Sequence, residues 1–234
     1  MKKRVIIVFS SHLTTYENDQ FIQHINDTCG VPHSVHCYTN HNQYSLPEVY
    51  NKAISTYSSK DAIMVFCHND IEFDTPNWGK ILLKHFNNPK NNYQIIGVAG
   101  ATELNEHGTW WLDKSNQMNF SKMMGIVNHD NGIRKWESRY SEPVFGVIDV
   151  LLVDGLFIAV DTEDIEHKFD EKYKGFHMYD VSFCFPNYLD GCNIGVITDI
   201  RITHKSIGQT NEQWELNRQQ FAEEYKNELP IKVE

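Results

Sequence analysis

One unbroken apolar segment limits the possible fold more than any other feature of this sequence. Ala62–Cys67 is apolar at every position, so neither face of a strand formed here is suited to solvent. Such a run is typical of a strand that is covered on both faces, as in parallel sheets flanked by helices. His68, Asn69 and Asp70 follow directly and are therefore expected at the carboxyl end of that strand. Because ligands of open α/β sheets bind at this edge, the sequence predicts a site around these three residues.

The first hundred residues alternate between strand and helix patterns. Further apolar strands are predicted at Val5–Phe9, Val35–Tyr38 and Ile95–Ala99. Ser45 and Glu48 form a capping box at the start of the second helix. This βαβ order predicts a largely parallel sheet. The helical stripes comprise Phe21, Ile22 and Ile25, then Val49, Tyr50, Ala53, Ile54 and Tyr57, and then Trp78, Ile81, Leu82 and Phe86.

The second half has a different character. Residues 103–143 are polar, without clear periodicity, and are predicted to form an irregular loop. A helix is predicted over Asp180–Tyr188, with Pro186 expected to end or kink it. Trp214, Phe221 and Tyr225 indicate a closing helix. Short strands are predicted at Val144–Asp149, Leu156–Val160, Asn193–Ile197 and Arg201–His204.

Composition limits the classes of partner. The chain has 234 residues, with 21 basic against 31 acidic side chains and a net charge of −10. No cluster of Lys and Arg stands out, which argues against nucleic acid or an anionic membrane surface as the main partner. The five cysteines lack C-x-x-C spacing and are expected to be reduced thiols of a cytosolic protein. The apolar run behind the basic start is too short for a signal peptide or a membrane span, so no transmembrane segment is predicted.

Several common sites are missing from the sequence. No glycine-rich dinucleotide or phosphate loop follows the first strand, and neither an H-E-x-x-H helix nor a G-x-S-x-G elbow occurs. His33, His36 and His41 lie near two cysteines, but their spacing fits no zinc-binding set, so we interpret them as surface and strand histidines. The acidic and histidine residues near strand ends remain as candidates for chemistry.

Four segments, in this order along the chain, resemble the motifs of GT-A glycosyltransferases of the family 2-like type. The resemblance implies an α/β GT-A fold in a single domain, with a mainly parallel, Rossmann-like nucleotide-sugar-binding half at residues 1–101. A mixed-sheet acceptor half would cover residues 102–234. The segments are Ser10-Ser11-His12 after the first strand; Tyr50-Asn51-Lys52-Ala53-Ile54 with the later His68-Asn69-Asp70; Val153-Asp154-Gly155-Leu156-Phe157; and Phe169-Asp170-Glu171 through Tyr179-Asp180, followed by His204-Lys205-Ser206.

The resemblance also implies a metal site. Asp70 matches the last acid of the family's D-x-D element, while His68 replaces the first acid and Asn69 stands in the middle. His204 matches the late histidine that completes metal coordination. The expected cofactor is a divalent cation, Mn²⁺ or Mg²⁺, that bridges the protein and the donor diphosphate. The imidazoles favour Mn²⁺ slightly.

The remaining site residues follow from the same resemblance. Asp180 matches the catalytic base of inverting members. The donor nucleotide is expected against Ser10, Ser11, His12, Tyr50, Asn51 and Asn69. The acceptor is expected against Trp110, Trp111, Asp154 and Gly155. Two alternatives stay open: Trp110 and Trp111 pack under their own loop, and Tyr50 belongs to the core because it lies on the apolar stripe of its helix.

The function implied is a metal-dependent inverting glycosyltransferase. It would move a sugar from a nucleoside-diphosphate sugar to a hydroxyl acceptor, in surface polysaccharide or glycoconjugate synthesis. We expect it in the cytoplasm, free or at the membrane periphery, and the sequence leaves its oligomeric state open. The main alternative is a non-catalytic domain of the same fold that binds a sugar nucleotide or glycan. A sugar-1-phosphate nucleotidyltransferase is disfavoured because the basic, Gly-rich loop of such enzymes is missing.

Overall fold

Helices cover both faces of a seven-stranded sheet in the computed structural model of this chain. The structure describes residues 1–234 except Lys3, Asn42, Lys114, Asn116, Ile207 and Glu234. The strands are β1 (Arg4–Ser11), β2 (His33–Thr39), β3 (Ala62–Cys67), β4 (Ile71–Phe73), β5 (Tyr93–Gly97), β6 (Ala99–Ala101), β7 (Glu103–Leu104), β8 (Met123–Asp130), β9 (Lys135–Arg139), β10 (Val147–Val150), β11 (Leu152–Val153), β12 (Phe157–Val160), β13 (Asn193–Ile197), β14 (Ile202–His204) and β15 (Ile231–Lys232). The helices are α1 (Thr15–Thr28), α2 (Leu46–Tyr57), α3 (Trp78–Phe86), α4 (Tyr179–Leu189) and α5 (Glu212–Glu224).

The large sheet has the strand order β10-β13-β5-β12-β3-β1-β2. β1 runs parallel to β2 and β3, and β13 runs parallel to β5. β12 lies antiparallel between β3 and β5, and β10 lies antiparallel to β13 at the edge. The predicted α/β class is confirmed. The parallel set expected in the first half is interrupted by β12, so strands from both halves of the sequence share one sheet.

The two faces of this sheet carry separate core layers, because side chains alternate between the faces along each strand. In β1, Ile6 and Val8 face the layer that includes α2, α4 and Phe221 of α5. Val5, Ile7 and Phe9 face the layer that includes α1 and α3. Every residue of β3 is buried, as its unbroken apolar sequence predicts.

The predicted irregular loop at residues 103–143 is wrong in its second part. β8 and β9 form an antiparallel hairpin around a turn that includes Gly132, which has a left-handed φ of 80°. β9 shows one face to solvent, and its exposed positions are charged, so composition alone suggested a loop. β8 belongs to a second sheet of order β11-β6-β8-β14-β4, in which β9 adds to β8.

Two further sequence predictions need correction. α4 continues to Leu189, so Pro186 does not end it. The strand predicted over Val144–Asp149 is β10, which begins only at Val147. Among the residues that the structure describes, no helix is both long and apolar enough to cross a bilayer.

Candidate active site

A cavity of about 440 Å³ lies at the carboxyl ends of β1 and β3, where the sequence predicts a ligand site. The Ser10–His12 segment and the His68–Asp70 turn line it, and Phe176 and Ser206 come from later in the chain. Asp180 and His204 are not among its lining residues. The predicted residues that line this cleft are Ser10, Ser11, His12, Tyr50, His68, Asn69 and Asp70.

The second sheet brings His204 to Asp70. β14 pairs antiparallel with β4, so that His204 lies opposite Ile71, the residue after Asp70. The backbone N–H of Lys205 donates to the carbonyl oxygen of Asp70 at 2.8 Å, which fixes this register. His204 Nε2 consequently lies 3.4 Å from Asp70 Oδ1.

His68 completes a cluster of three potential ligands. Its Nδ1 lies 3.8 Å from Asp70 Oδ1 and 3.5 Å from His204 Nε2. One ligand atom from each residue lies within 4.8 Å of the others. The three predicted metal-site residues therefore come together, although they are separated by up to 136 positions in the sequence.

Two of the three groups in this cluster favour the protonation state that binds a cation. Burial disfavours the ionised form of Asp70, but the hydrogen bond and positive charge of His204 outweigh it, so the Asp70 pKa lies below its ordinary value. Burial also disfavours protonation of His204, yet contact with Asp70 raises the His204 pKa overall. Burial lowers the pKa of His68, which favours a neutral imidazole. A carboxylate and a neutral imidazole are the forms that metals bind, so His204 would have to release its proton when a cation binds.

The donor set fits a first-row divalent cation. Two ligands that each lie about 2.1 Å from an ion are at most roughly 4.2 Å apart. The three measured separations, from 3.4 to 3.8 Å, satisfy that limit. Two imidazoles beside one carboxylate suit Mn²⁺ and later first-row ions better than Mg²⁺ or Ca²⁺, which prefer all-oxygen ligands.

Asp180 lies in the first turn of α4, next to the turn between β11 and β12. The backbone N–H of Gly155 donates to Asp180 Oδ2 at 3.3 Å. Burial, followed by repulsion from the Asp154 carboxylate, raises the pKa of Asp180 to about 7. A carboxyl group that titrates near neutrality is suited to general acid–base work.

The predicted nucleotide-binding residues have different surroundings. Ser11 and Asn69 hold each other, because Asn69 Nδ2 donates to Ser11 Oγ at 2.9 Å and so ties the end of β1 to the turn after β3. Tyr50 is 1% exposed and packs in the core against Phe66, with ring centroids 4.7 Å apart. Most of the Tyr50 side chain therefore belongs to the core, as the alternative interpretation of this residue proposes.

Asn51 does not line the cleft. Its side-chain amide donates to the carbonyl oxygen of Phe169 at 2.8 Å and accepts from the Phe169 N–H at 3.0 Å. It lines a separate depression beside α2. Asn51 thus holds the segment that leads to α4, and its assignment as a nucleotide contact stays a prediction.

Two predicted acceptor contacts, Trp110 and Trp111, pack in or against the core. Trp110 is 7% exposed and belongs to the core layer that includes α2 and α4. Trp111 packs against the same layer and tilts against Trp214 of α5, with ring centroids 5.6 Å apart. The alternative interpretation, in which both tryptophans pack under their own loop, fits these positions better than stacking on a sugar. Asp154 is half-buried and Gly155 is buried beside α4.

Sequence reasoning missed two residues near the cluster. The Tyr179 hydroxyl lies 2.9 Å from His68 Nε2. His129 pairs with His204 across β8 and β14 and stacks on Trp136, with ring centroids 4.8 Å apart. Both ring nitrogens of His129 are buried without a hydrogen-bond partner among the described residues. Neither residue was predictable, because its proximity depends on long-range strand and helix placement.

Comparison with known proteins identifies the family. A family model described as a glycosyltransferase-like family matches residues 5–226. A search of curated protein sequences gives no match. The chain is similar to the crystal structure of GalNAc-T7 with UDP, GalNAc and Mn²⁺, at 7% identity and a TM-score of 0.61 over 97% of this chain. It is also similar to the mannosyltransferase PcManGT from Pyrobaculum calidifontis in complex with GDP-Man and Mn²⁺, at 10% identity and a TM-score of 0.55 over 97% of this chain.

This chain is shorter than either relative. It spans 49% of the GalNAc-T7 chain and 65% of the mannosyltransferase chain. At these identities the two structures establish the fold, while the family model establishes membership. The chain therefore belongs to the glycosyltransferase-like family and has the GT-A fold, which confirms the resemblance seen in its motifs.

Proposed function

We propose that this chain is a metal-dependent inverting glycosyltransferase that moves a sugar from a nucleoside-diphosphate sugar to a hydroxyl acceptor. The observation that carries the proposal is the cluster of His68, Asp70 and His204, of which His68 and Asp70 line the cleft formed after β1 and β3. Both structural relatives bind a nucleotide or sugar nucleotide with Mn²⁺, which supports the same ligand class here.

His68, Asp70 and His204 would hold the cation. When bound, Mn²⁺ or Mg²⁺ would act as a Lewis acid and neutralise charge on the departing diphosphate. Ser10, near the end of β1, and His12, just after it, line the other side of the cleft, where they would bind the nucleotide. The Ser11–Asn69 hydrogen bond would hold the end of β1 and the turn after β3, which form the two sides of the cleft, at a fixed distance from each other.

Asp180 would act as the catalytic base. Its carboxylate would take the proton from the acceptor hydroxyl while the hydroxyl oxygen attacks the anomeric carbon and the bond from that carbon to the diphosphate oxygen breaks. A single displacement of this kind inverts the anomeric configuration. A positioned base contributes roughly 10²–10⁴-fold to the rate. Asp154 supports this role because its negative charge helps to keep the Asp180 pKa near neutrality.

A second candidate function is non-catalytic binding of a sugar nucleotide or glycan. The observation in its favour is that only one of the three clustered ligands is a carboxylate, since His68 stands where the family has an acid. The raised pKa of Asp180 favours catalysis instead, because a binding domain has no need of a carboxyl group that titrates near pH 7.

Turnover distinguishes the two functions. The protein is incubated with UDP- and GDP-sugars, Mn²⁺ and a panel of glycan acceptors, and release of nucleoside diphosphate is measured. We expect release that stops with EDTA and returns with Mn²⁺. Binding of a sugar nucleotide without any release of nucleoside diphosphate, across the whole panel, would favour the non-catalytic function.

We propose surface polysaccharide or glycoconjugate synthesis in the cytoplasm as the setting of this reaction.

The pH dependence of the rate provides a separate prediction. Asp180 must be ionised to accept a proton, so kcat/KM should rise with pH through an apparent pKa of about 7. Asp154→Asn removes the neighbouring negative charge, which should lower the pKa of Asp180 and move the rising limb of the pH–rate profile to lower pH. Initial rates of diphosphate release between pH 5.5 and 9 measure both effects. A flat profile, or a limb that Asp154→Asn leaves in place, would contradict the assignment of Asp180 as base.

A further inference from the structure

A tyrosine connects the candidate cation cluster with the candidate base. Tyr179 directly precedes Asp180 at the start of α4 and is 3% exposed. Its hydroxyl lies 2.9 Å from His68 Nε2. The other ring nitrogen of His68, Nδ1, lies 3.8 Å from Asp70 Oδ1. One edge of the His68 ring therefore contacts Tyr179, while the opposite edge faces the carboxylate of the cluster.

The position of the Tyr179 hydroxyl depends on Gly155. A Cβ atom at position 155 would overlap the Tyr179 hydroxyl and come within 2.4 Å of its ring. The absence of a side chain there allows the tyrosine to reach His68. The same glycine donates its N–H to Asp180, so one turn of the backbone contacts both residues.

The Tyr179 ring is held from several sides. It packs edge-on against Tyr50, with centroids 5.9 Å apart, and tilts against Phe169 at 6.4 Å. The preceding residue, Met178, is buried and adopts a left-handed φ of 63°, which directs the chain sharply into α4. Asn217 of α5 holds the loop before it by donating to the carbonyl oxygens of Lys174 and His177. The hydroxyl consequently has little freedom to move.

We propose that Tyr179 is a positioning residue that orients His68 as an Nδ1 ligand of the cation. To ligate through Nδ1, the neutral imidazole must carry its proton on Nε2, and that N–H needs an acceptor. The Tyr179 oxygen is an acceptor within reach. This inference rests on the proposed function, because it takes the cluster of His68, Asp70 and His204 to be the metal site.

A double-mutant cycle on Mn²⁺ affinity tests the proposal without relying on turnover. Free Mn²⁺ is measured by electron paramagnetic resonance during titration of wild type, Tyr179→Phe, His68→Ala and the double variant. Loss of a partner to a metal-bound histidine weakens metal binding roughly 10–100-fold. We expect Tyr179→Phe to raise the Kd at least 10-fold in the wild-type background and to have no further effect when His68 is alanine.

Tyr173→Phe is a matched control. Tyr173 is also buried, at 1% exposure, and its hydroxyl contacts Glu224 at 2.9 Å rather than a residue of the cluster. It should leave the Mn²⁺ affinity unchanged. A weakening by Tyr179→Phe that persists undiminished in the His68→Ala background would overturn the proposal, as would wild-type affinity in Tyr179→Phe.

A second measurement uses the wild-type protein and so does not depend on the folding of a variant. Long-range ¹H–¹⁵N spectra with saturating Mg²⁺ or Zn²⁺ report the tautomer of each histidine. We expect His68 with its proton on Nε2; a proton on Nδ1 would overturn the proposal.

If wild type binds Mn²⁺ and Asp70→Asn abolishes binding while Tyr179→Phe does not weaken it, only this inference fails. If wild type binds no Mn²⁺ with or without nucleoside diphosphate, the proposed function fails as well.

Discussion

Asp70→Asn is expected to weaken Mn²⁺ binding by more than about 100-fold and to reduce sugar transfer to background. Loss of an outer partner of a metal ligand already costs roughly 10–100-fold in affinity, and loss of a charged ligand should cost more. Asp70 is the only carboxylate in the cluster of three potential ligands that the described residues form. The amide of asparagine is similar in size but carries no charge, so the variant removes attraction for the cation with little change in packing. Isothermal titration with Mn²⁺, in the presence of nucleoside diphosphate, measures the loss.

Glu72→Gln is the matched control for Asp70→Asn. Glu72 lies two residues further along, in β4, and pairs with Lys205 at 2.6 Å rather than with the histidines. Its substitution makes the same change in net charge, so a general electrostatic effect would appear in both variants. Equal Mn²⁺ affinities for wild type and Asp70→Asn would show that the cation binds elsewhere.

Asp180→Asn is the second substitution with a large expected effect. We expect kcat to fall roughly 10²–10⁴-fold, because asparagine cannot take the acceptor proton. Binding of Mn²⁺ and nucleoside diphosphate should remain within a few-fold of wild type, since Asp180 is not a member of the metal cluster. Single-turnover rates and equilibrium binding, measured on the same preparation, separate the two effects.

The same substitution should stabilise the fold at alkaline pH. The pKa of Asp180 is about 7 in the folded protein, against about 3.9 for an unfolded aspartate. The folded state therefore binds more protons between these values, and its stability falls as pH rises from about 4 through 7. Asparagine does not ionise, so at pH 8 the variant should be more stable by up to about 4 kcal/mol, from about three pKa units at about 1.4 kcal/mol per unit. At pH 4 the difference should disappear.

Asp170→Asn is the control for both readouts of Asp180→Asn. Asp170 lies in the segment before α4, where it accepts from the N–H of Lys172 at 3.0 Å and shapes a turn. It should change neither kcat nor the pH dependence of stability in this range. Wild-type turnover by Asp180→Asn would show that Asp180 is not the catalytic base, whatever the outcome of the stability measurement.

The sequence was most informative where one local pattern determines the environment of a residue. The apolar run before His68 predicts a strand buried on both faces, and β3 is buried throughout. The Ser45–Glu48 capping box predicts the start of α2, and both of its reciprocal hydrogen bonds are present. Residues directly after such strands could be assigned to the cleft, because the chain direction alone brings them to the same edge of the sheet.

Contacts that depend on strand register could not be read from local patterns. His129 and His204 are neighbours only because β8 and β14 pair in one particular register. Tyr179 meets His68 across 111 positions of sequence, where Gly155 leaves space for it. Asn51 and Trp110 have the residue types of ligand contacts, but their side chains point to a backbone segment and to the core. β9 resembles a loop in composition because one of its faces is charged and exposed.

We infer that the chain gathers His68, Asp70 and His204 into one cation site, with Asp180 as the base. Anomalous diffraction from a crystal soaked with nucleoside diphosphate and Mn²⁺ tests it most directly. We predict a manganese peak about 2.2 Å from Asp70 and from an imidazole nitrogen of His204, with the diphosphate in the cleft and Asp180 facing the space beyond its distal phosphate. A manganese peak away from Asp70, or a diphosphate bound outside this cleft, would contradict the claim.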